Sequence, residues 1–325
     1  MAKGLKGIHH VSAMTASAAR NFEFYTNVMG MRLVGKTVNQ DDTSMYHLFY
    51  GDEKGSPGTE LTFFELPMMG RNRPGSASLS AFSLRVASDE ALRWWERRFN
   101  ELGVDRDALQ ERGGRLTLAF RDPEGQRVIL VSDEHNRGIP GSNPWSGGPV
   151  MTEFGITGLG PVQLTVRNAA PTLAVLTDLL GFRRKGAYPS AVPGQPDIIM
   201  LEIGEGGSGG ELHVEERPEM ERERLGRGGV HHVALRVEDE DELREWVERI
   251  HRAGFSSSGF VDRHFFRSLY FREPGGVLIE LATDGPGFGD ETELERLGEK
   301  LLLPPFLEAQ REAIEARLKP LATGR

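Results

Sequence analysis

Two periodicities divide this chain. Short β-rich runs with alternating character, near Leu5 to Met14 and over Val230 to Val237, read as strands with one buried face. Helical patterns with apolar residues three and four apart cover Ala18 to Met29, Asp89 to Leu102, Ala170 to Leu180 and Asp239 to Ala253. Each ends at a glycine (Gly30, Gly103, Gly181, Gly254), where a left-handed cap needs a residue without Cβ. Three strand-like runs follow each helix, in the first case Met31–Val38, Met45–Tyr50 and Glu60–Leu66. The predicted order is βαβββ, four times.

The chain also repeats itself at one offset. VMGMRLVGK around Gly30 resembles LLGFRRKGA around Gly181, an offset of 151 residues. The same 151 relates the runs around Trp95 and Trp246, and those beginning at Arg121 and Arg272. Three matches at one offset indicate a tandem duplication. The expected fold is therefore α+β: four βαβββ modules in two tandem halves forming open, cup-shaped sheets, with a C-terminal helical tail. The halves are placed at residues 1–135 and 158–284. A Gly-, Pro- and Ser-rich linker at 136–157 joins them, and the tail runs over 285–325. From Glu291 onward the tail reads as one or two helices broken at Pro304 and Pro305, packed on the outside and without a catalytic role.

Composition narrows the function. The 325 residues carry 39 basic and 48 acidic side chains, a net charge of −9, which disfavours a nucleic-acid or anionic-membrane partner. Without cysteine there are no disulfides, thiolate ligands or thiol nucleophiles. The N-terminus lacks an apolar targeting segment and no run approaches a membrane span, so a cytoplasmic location is expected.

The candidate chemistry lies in two histidine pairs, His9-His10 and His231-His232, each in the first strand of a module. Neighbouring strand residues face opposite sides. His231 shares a face with Val233, Leu235 and Val237, which should meet the helices, whereas His232 shares the cup face with Ala234 and Arg236. The same parity selects His10 with Ser12 over His9. Glu280, flanked by Ile279 and Leu281, is a carboxylate in a strand that reads as buried, costly unless paired or metal-bound. Two histidines and one carboxylate leave up to three open positions on an octahedral ion, the arrangement associated with non-haem Fe(II). At the offset of 151, the counterparts of His10, His232 and Glu280 are Pro161, Ala81 and Ile129, so one metal per chain is expected. Because a lone histidine is more often a hydrogen-bonded core residue, His47, His135, His213, His251 and His264 take the structural reading. Glu60 and Glu65 remain open as a further ligand.

The modules resemble the vicinal-oxygen-chelate superfamily of glyoxalase I, bleomycin-resistance proteins and extradiol dioxygenases. HHVSAMT, YHLFYGDEKGSPGTELTFFELP, DRHFFRSLYFREPGGVLIELATDGPGF and LLLPPFLE are similar to hydroquinone-type ring-cleaving dioxygenases. That resemblance implies Fe(II), with Mn(II) as the alternative, held by His10, His232 and Glu280. It also implies catalytic or substrate-contacting roles for His9, His231, Arg263 and Tyr270. Arg263 is a permanent cation suited to a developing oxyanion, and Tyr270 can donate a hydrogen bond to a substrate oxygen. In regular strands His9 and His231 would point away from the metal. Of the phenylalanines in the site region, Phe265, Phe266 and Phe271, most are expected in the core, and any that face the site would exclude water.

The leading expectation is an iron-dependent dioxygenase that opens a hydroquinone-like or catechol-like ring with O2. One alternative is a glyoxalase-like isomerase or thiol transferase, which usually takes a fourth protein ligand, so Glu60 and Glu65 discriminate. The other is a non-catalytic small-molecule binder, against which the His-His-Glu set argues. The outer faces of the tail offer a surface for a homodimer.

Overall fold

A computed structural model of the protein describes residues 4–289 and 294–323. The first module comprises β1 (Ile8–Thr15), α1 (Ala18–Glu23, continued by a π-helical turn over Phe24–Val28), β2 (Arg32–Asn39), β3 (Asp42–Gly51) and β4 (Glu60–Glu65). The second has β5 (Ser78–Val86), α2 (Asp89–Leu102), β6 (Gln110–Arg112), β7 (Arg115–Arg121) and β8 (Arg127–Ser132). The third has β9 (Ile156–Val166), α3 (Ala169–Ala174, continued by a π-helical turn over Val175–Leu179), β10 (Arg183–Tyr188), β11 (Ile198–Glu202) and β12 (Glu211–Glu216). The fourth has β13 (Val230–Val237), α4 (Glu240–Arg252), β14 (Val261–Asp262), β15 (Phe266–Arg272) and β16 (Leu278–Pro286). The βαβββ order holds in all four.

Local chemistry sets these boundaries. Side chains of Ser17, Ser88, Asn168 and Asp239 accept from backbone N–H groups in the first turns of α1 to α4. At the far ends, Gly30, Gly103, Gly181 and Gly254 all have positive φ, as predicted. Trp95 in α2 and Trp246 in α4, equivalent under the repeat, are fully buried against the sheet.

In every module the first and last strands pair in parallel: β1 with β4, β5 with β8, β9 with β12 and β13 with β16. Parallel pairing needs a crossover, and the helix supplies its bulk. Modules then join through antiparallel first strands, β1 on β13 and β5 on β9. Each cup therefore takes one module from each half of the sequence: the first and fourth form one, the second and third the other. Among the described residues, strands of the two cups pair at Val230 with Leu79, between β13 and β5, and Leu159 N on β9 donates to Gly58 O between β3 and β4 at 2.8 Å.

The tail has two short helices, α5 (Pro305–Glu308) and α6 (Arg311–Glu315). The part of the predicted tail at 290–293 lies outside the described residues. Leu302 donates from its backbone to Lys36 O on β2 at 2.8 Å, and the Tyr46 hydroxyl donates to Lys319 O at 2.9 Å. Phe288 packs on Phe49 and Phe265, so the tail's approach also backs a wall of the first cup. Among the described residues, no helix is long and apolar enough to cross a membrane.

Candidate metal centre

Strands β1, β13 and β16 lie side by side, and each delivers one predicted residue to the same point. His10, His232 and Glu280 are all buried. His10 Nε2 and His232 Nε2 are 3.1 Å apart; Glu280 Oε2 is 3.0 Å from the first and 2.8 Å from the second. Glu280 Oε1 accepts from Ser268 Oγ on β15 at 2.5 Å, which fixes the carboxylate plane. Oε2 is buried without a hydrogen-bond donor. Burial alone would raise the Glu280 pKa, yet His10 and His232 hold it well below the usual range.

This triangle fits a metal ion. Donor atoms at bonds of about 2.1 Å lie about 3.0 Å apart at right angles and about 3.4 Å apart in a tetrahedron. The observed edges match three adjacent corners of an octahedron, leaving three free. An ionised carboxylate oxygen and two imidazole nitrogens converging without a proton donor are suited by their chemistry to hold a cation.

His9 and His231 depart from regular-strand parity. Pairing of β1 with β13 runs from Ile8–Leu235 to His10–Ala234, making His9 an extra residue on β1. It then jumps from Ser12–His232 to Ala13–Val230, making His231 an extra residue on β13. Both histidines sit at β-bulges, which re-aim side chains. Each consequently meets its neighbour: His9 Nδ1 is 3.0 Å from His10 Nδ1, and His231 Nδ1 is 2.7 Å from His232 Nδ1. Burial, reinforced by His10, lowers the His9 pKa well below normal; burial and His232 push that of His231 down to about 3. Both rings are neutral at pH 7.

A neutral His9 has a defined tautomer. Its Nε2 lies 3.0 Å from the carbonyl of Thr283, which can only accept. Nε2 therefore carries the hydrogen and Nδ1 accepts from His10 Nδ1–H. This leaves the His10 Nε2 lone pair aimed at Glu280 and His232. The same logic lets His232 Nδ1–H donate to His231, whose Nε2–H remains for the adjacent cavity.

That cavity has a volume of about 310 Å³. Phe49, Phe64, Phe265 and Phe266 form its aromatic walls, and His231, Arg263 and Tyr270 line it. Phe271 packs in the main core. Arg263 Nε lies 3.4 Å from the Tyr270 hydroxyl, and its Nη1 lies 3.4 Å from Asp41 Oδ2 at the β2–β3 hairpin. Gln40 Nε2 donates to Arg263 O at 3.0 Å, so the hairpin tip is tied to the fourth module across the cavity's edge. Arg263 immediately precedes His264, a non-glycine residue with φ of 73°, in a turn fastened by Asp262. Burial, aided by Glu280, raises the Tyr270 pKa, so the phenol stays protonated.

The two open carboxylates separate clearly. Glu65 Oε1 accepts from the Ala18 N–H at the start of α1, on the helix side of the sheet. Glu60 joins His9 and His10 in a second buried group of donor atoms, apart from His232 and Glu280. The histidine left out of the site reading is His47: it lines the cavity. Strand alternation carried the signal, because His47 shares the cup face of β3 with Phe49.

In the second cup, Ala81, Ile129 and Pro161 come together as the repeat predicts, around a cavity of only about 30 Å³. Arg115 and His213 line it and both bind Glu211, Arg115 through both oxygens (2.9 and 2.7 Å) and His213 at 3.1 Å, with Lys185 adding a bond at 2.6 Å. Burial opposes its charge, but bonds from His213 and Arg115 depress its pKa strongly. This cup pairs its own charges among Glu211, Arg115, Lys185 and His213.

Comparison with known proteins agrees with the architecture. The family described as Glyoxalase/Bleomycin resistance protein/Dioxygenase superfamily matches residues 7–130 and 158–281. The provisionally named ring-cleaving dioxygenase MhqA of Bacillus subtilis is 52% identical over 317 residues, covering 98% of this chain and 99% of that one. Chlorohydroquinone/hydroquinone 1,2-dioxygenase of Sphingobium indicum is 28% identical, covering 95% of each chain. The crystal structure of a provisionally assigned dioxygenase from Bacillus subtilis superposes with a TM-score of 0.89 at 33% identity, covering all of both chains. With two matched segments that reproduce its duplicated halves, this chain belongs to the glyoxalase/bleomycin resistance protein/dioxygenase superfamily.

Proposed function

We propose that the protein is a non-haem iron ring-cleaving dioxygenase that opens an aromatic diol with O2, using Fe(II) (or Mn(II)) held by His10, His232 and Glu280. The observation that carries this reading is the nearly equilateral triangle of His10 Nε2, His232 Nε2 and Glu280 Oε2, whose edges of 2.8–3.1 Å have the size of one octahedral face. His10, His232 and Glu280 would hold such an ion, which would supply Lewis acidity and one-electron chemistry. The names of the full-length relatives, which include a hydroquinone dioxygenase, support the same class.

The surrounding residues have complementary tasks. Phe49, Phe64, Phe265 and Phe266 seat a flat ring and exclude water. The protonated Tyr270 donates a hydrogen bond to an oxygen on the reacting side of the ring. Arg263, stacked over Tyr270 at 5.4 Å, stabilises negative charge developing there. His231 presents its Nε2–H to the same space, and His9 keeps His10 in its binding tautomer. The isomerase alternative wants a fourth protein ligand. Glu65 caps α1, and Glu60 groups with His9 and His10 and not with His232 and Glu280, so neither joins the three residues as a fourth ligand.

The test is anaerobic loading of metal-free protein with Fe(II), followed by oxygen uptake with a panel of hydroquinones and catechols. Uptake that disappears in His232→Ala is the expected result. One bound metal per chain with no uptake from any diol would overturn the reading.

A further inference from the structure

His47 occupies an unusual position for a core histidine. It stands on β3, two strands from β1, so its backbone is rooted roughly 10 Å across the sheet from the strand of His10. The curvature of the cup turns its ring back into the cavity that the metal centre opens onto. Phe49 and Phe64 hold the ring between them, with centroids 4.1 and 4.0 Å away. Its Nε2 lies 3.0 Å from Thr62 Oγ1, which is 2.7 Å from Ser12 Oγ. Among the described residues, no hydrogen bond engages its Nδ1.

A half-buried imidazole held in orientation and bonded at one nitrogen is built to meet a polar group at the other. Burial, with His10, His232 and Arg263 nearby, keeps the ring neutral. The Ser12–Thr62 chain adapts its tautomer: Nε2–H can donate to Thr62, leaving Nδ1 an acceptor, or Nε2 can accept from Thr62, leaving Nδ1–H a donor. Both hydroxyls can reverse together without losing a bond.

We propose that His47 is a substrate-binding residue, whose Nδ1 hydrogen-bonds the ring hydroxyl para to the oxygen held at the His10–His232–Glu280 centre. The inference rests on the dioxygenase reading and narrows its substrate to 1,4-diols over 1,2-diols. A catechol places its second hydroxyl beside the first, on the metal side of the ring, and leaves the para position assigned to His47 without a polar group.

Calorimetric titration of Fe(II)-loaded protein without oxygen, using hydroquinone, catechol and phenol, tests this directly. His47→Phe keeps the aromatic sandwich and removes both nitrogens. It should weaken hydroquinone binding about tenfold while leaving catechol and phenol within about twofold, the size of one net hydrogen bond. Thr62→Val, which keeps the imidazole but frees its orientation, should weaken hydroquinone alone, by about threefold, and decides the matter if His47→Phe does not fold. Equal losses for all three ligands, or unchanged hydroquinone binding, would overturn the role of His47 while wild-type oxygen uptake with diols leaves the dioxygenase reading standing. If wild-type protein bound none of the three ligands, both would fall.

Discussion

Ser268 Oγ donates to Glu280 Oε1 at 2.5 Å, leaving Glu280 Oε2 to face the two histidine nitrogens. The carboxylate thus has one oxygen committed to the protein and one to the centre. Removing that support changes the ligand's orientation but not its identity. Ser268→Ala should lower affinity for a divalent ion by about 10- to 100-fold, measured by competition with a chromogenic chelator. Glu280→Gln, which removes the charge itself, should leave the purified protein essentially without metal. Equal metal content in wild type and Glu280→Gln would exclude Glu280 as a ligand.

The bulge at His9 makes a second prediction. His9 Nε2 binds the Thr283 carbonyl while Nδ1 accepts from His10, so His9 selects the tautomer of its neighbour. His9→Phe should weaken metal binding by roughly 10- to 100-fold with little change in far-ultraviolet circular dichroism. Retention of wild-type affinity would show that His10 needs no such partner.

The second cup is expected to matter for stability alone. The buried Glu211 neutralises the largely covered Arg115 guanidinium. Glu211→Ala leaves Arg115 without this partner and should cost about 3–5 kcal/mol in urea unfolding, with metal stoichiometry unchanged. Loss of metal in this variant would mean that the cups are coupled.

A pH effect should arise at Asp122. Its Oδ1 accepts from the backbone of Glu124 and Gln126, each at 2.9 Å, and its Oδ2 accepts from the Tyr25 hydroxyl at 3.2 Å. Burial nonetheless pushes its pKa up to about 6. The folded protein therefore holds this proton more tightly than the unfolded chain. The associated stability is complete below about pH 4 and is lost as pH rises through about 6. Asp122→Asn cannot ionise, so its stability relative to wild type should grow by on the order of 2–3 kcal/mol between pH 4 and 7. Parallel pH profiles for the two proteins in urea would remove Asp122 as the source.

The sequence alone determined the modular order, the helix-ending glycines and the convergence of His10, His232 and Glu280. These follow from local rules: strand and helix periodicity, the backbone freedom of glycine, and a duplication whose second copy lacks the three side chains. Tertiary structure decided three further matters. Cups form between the first and fourth modules and between the second and third, because first strands pair across the halves and not within them. His9 and His231 turn toward their neighbours because each is the extra residue of a bulge, a feature of the partner strand's register that no single strand encodes. Glu65 caps a helix, Glu60 meets His9 and His47 enters the cavity because sheet curvature, set by packing across the whole cup, decides which residues of one strand face meet.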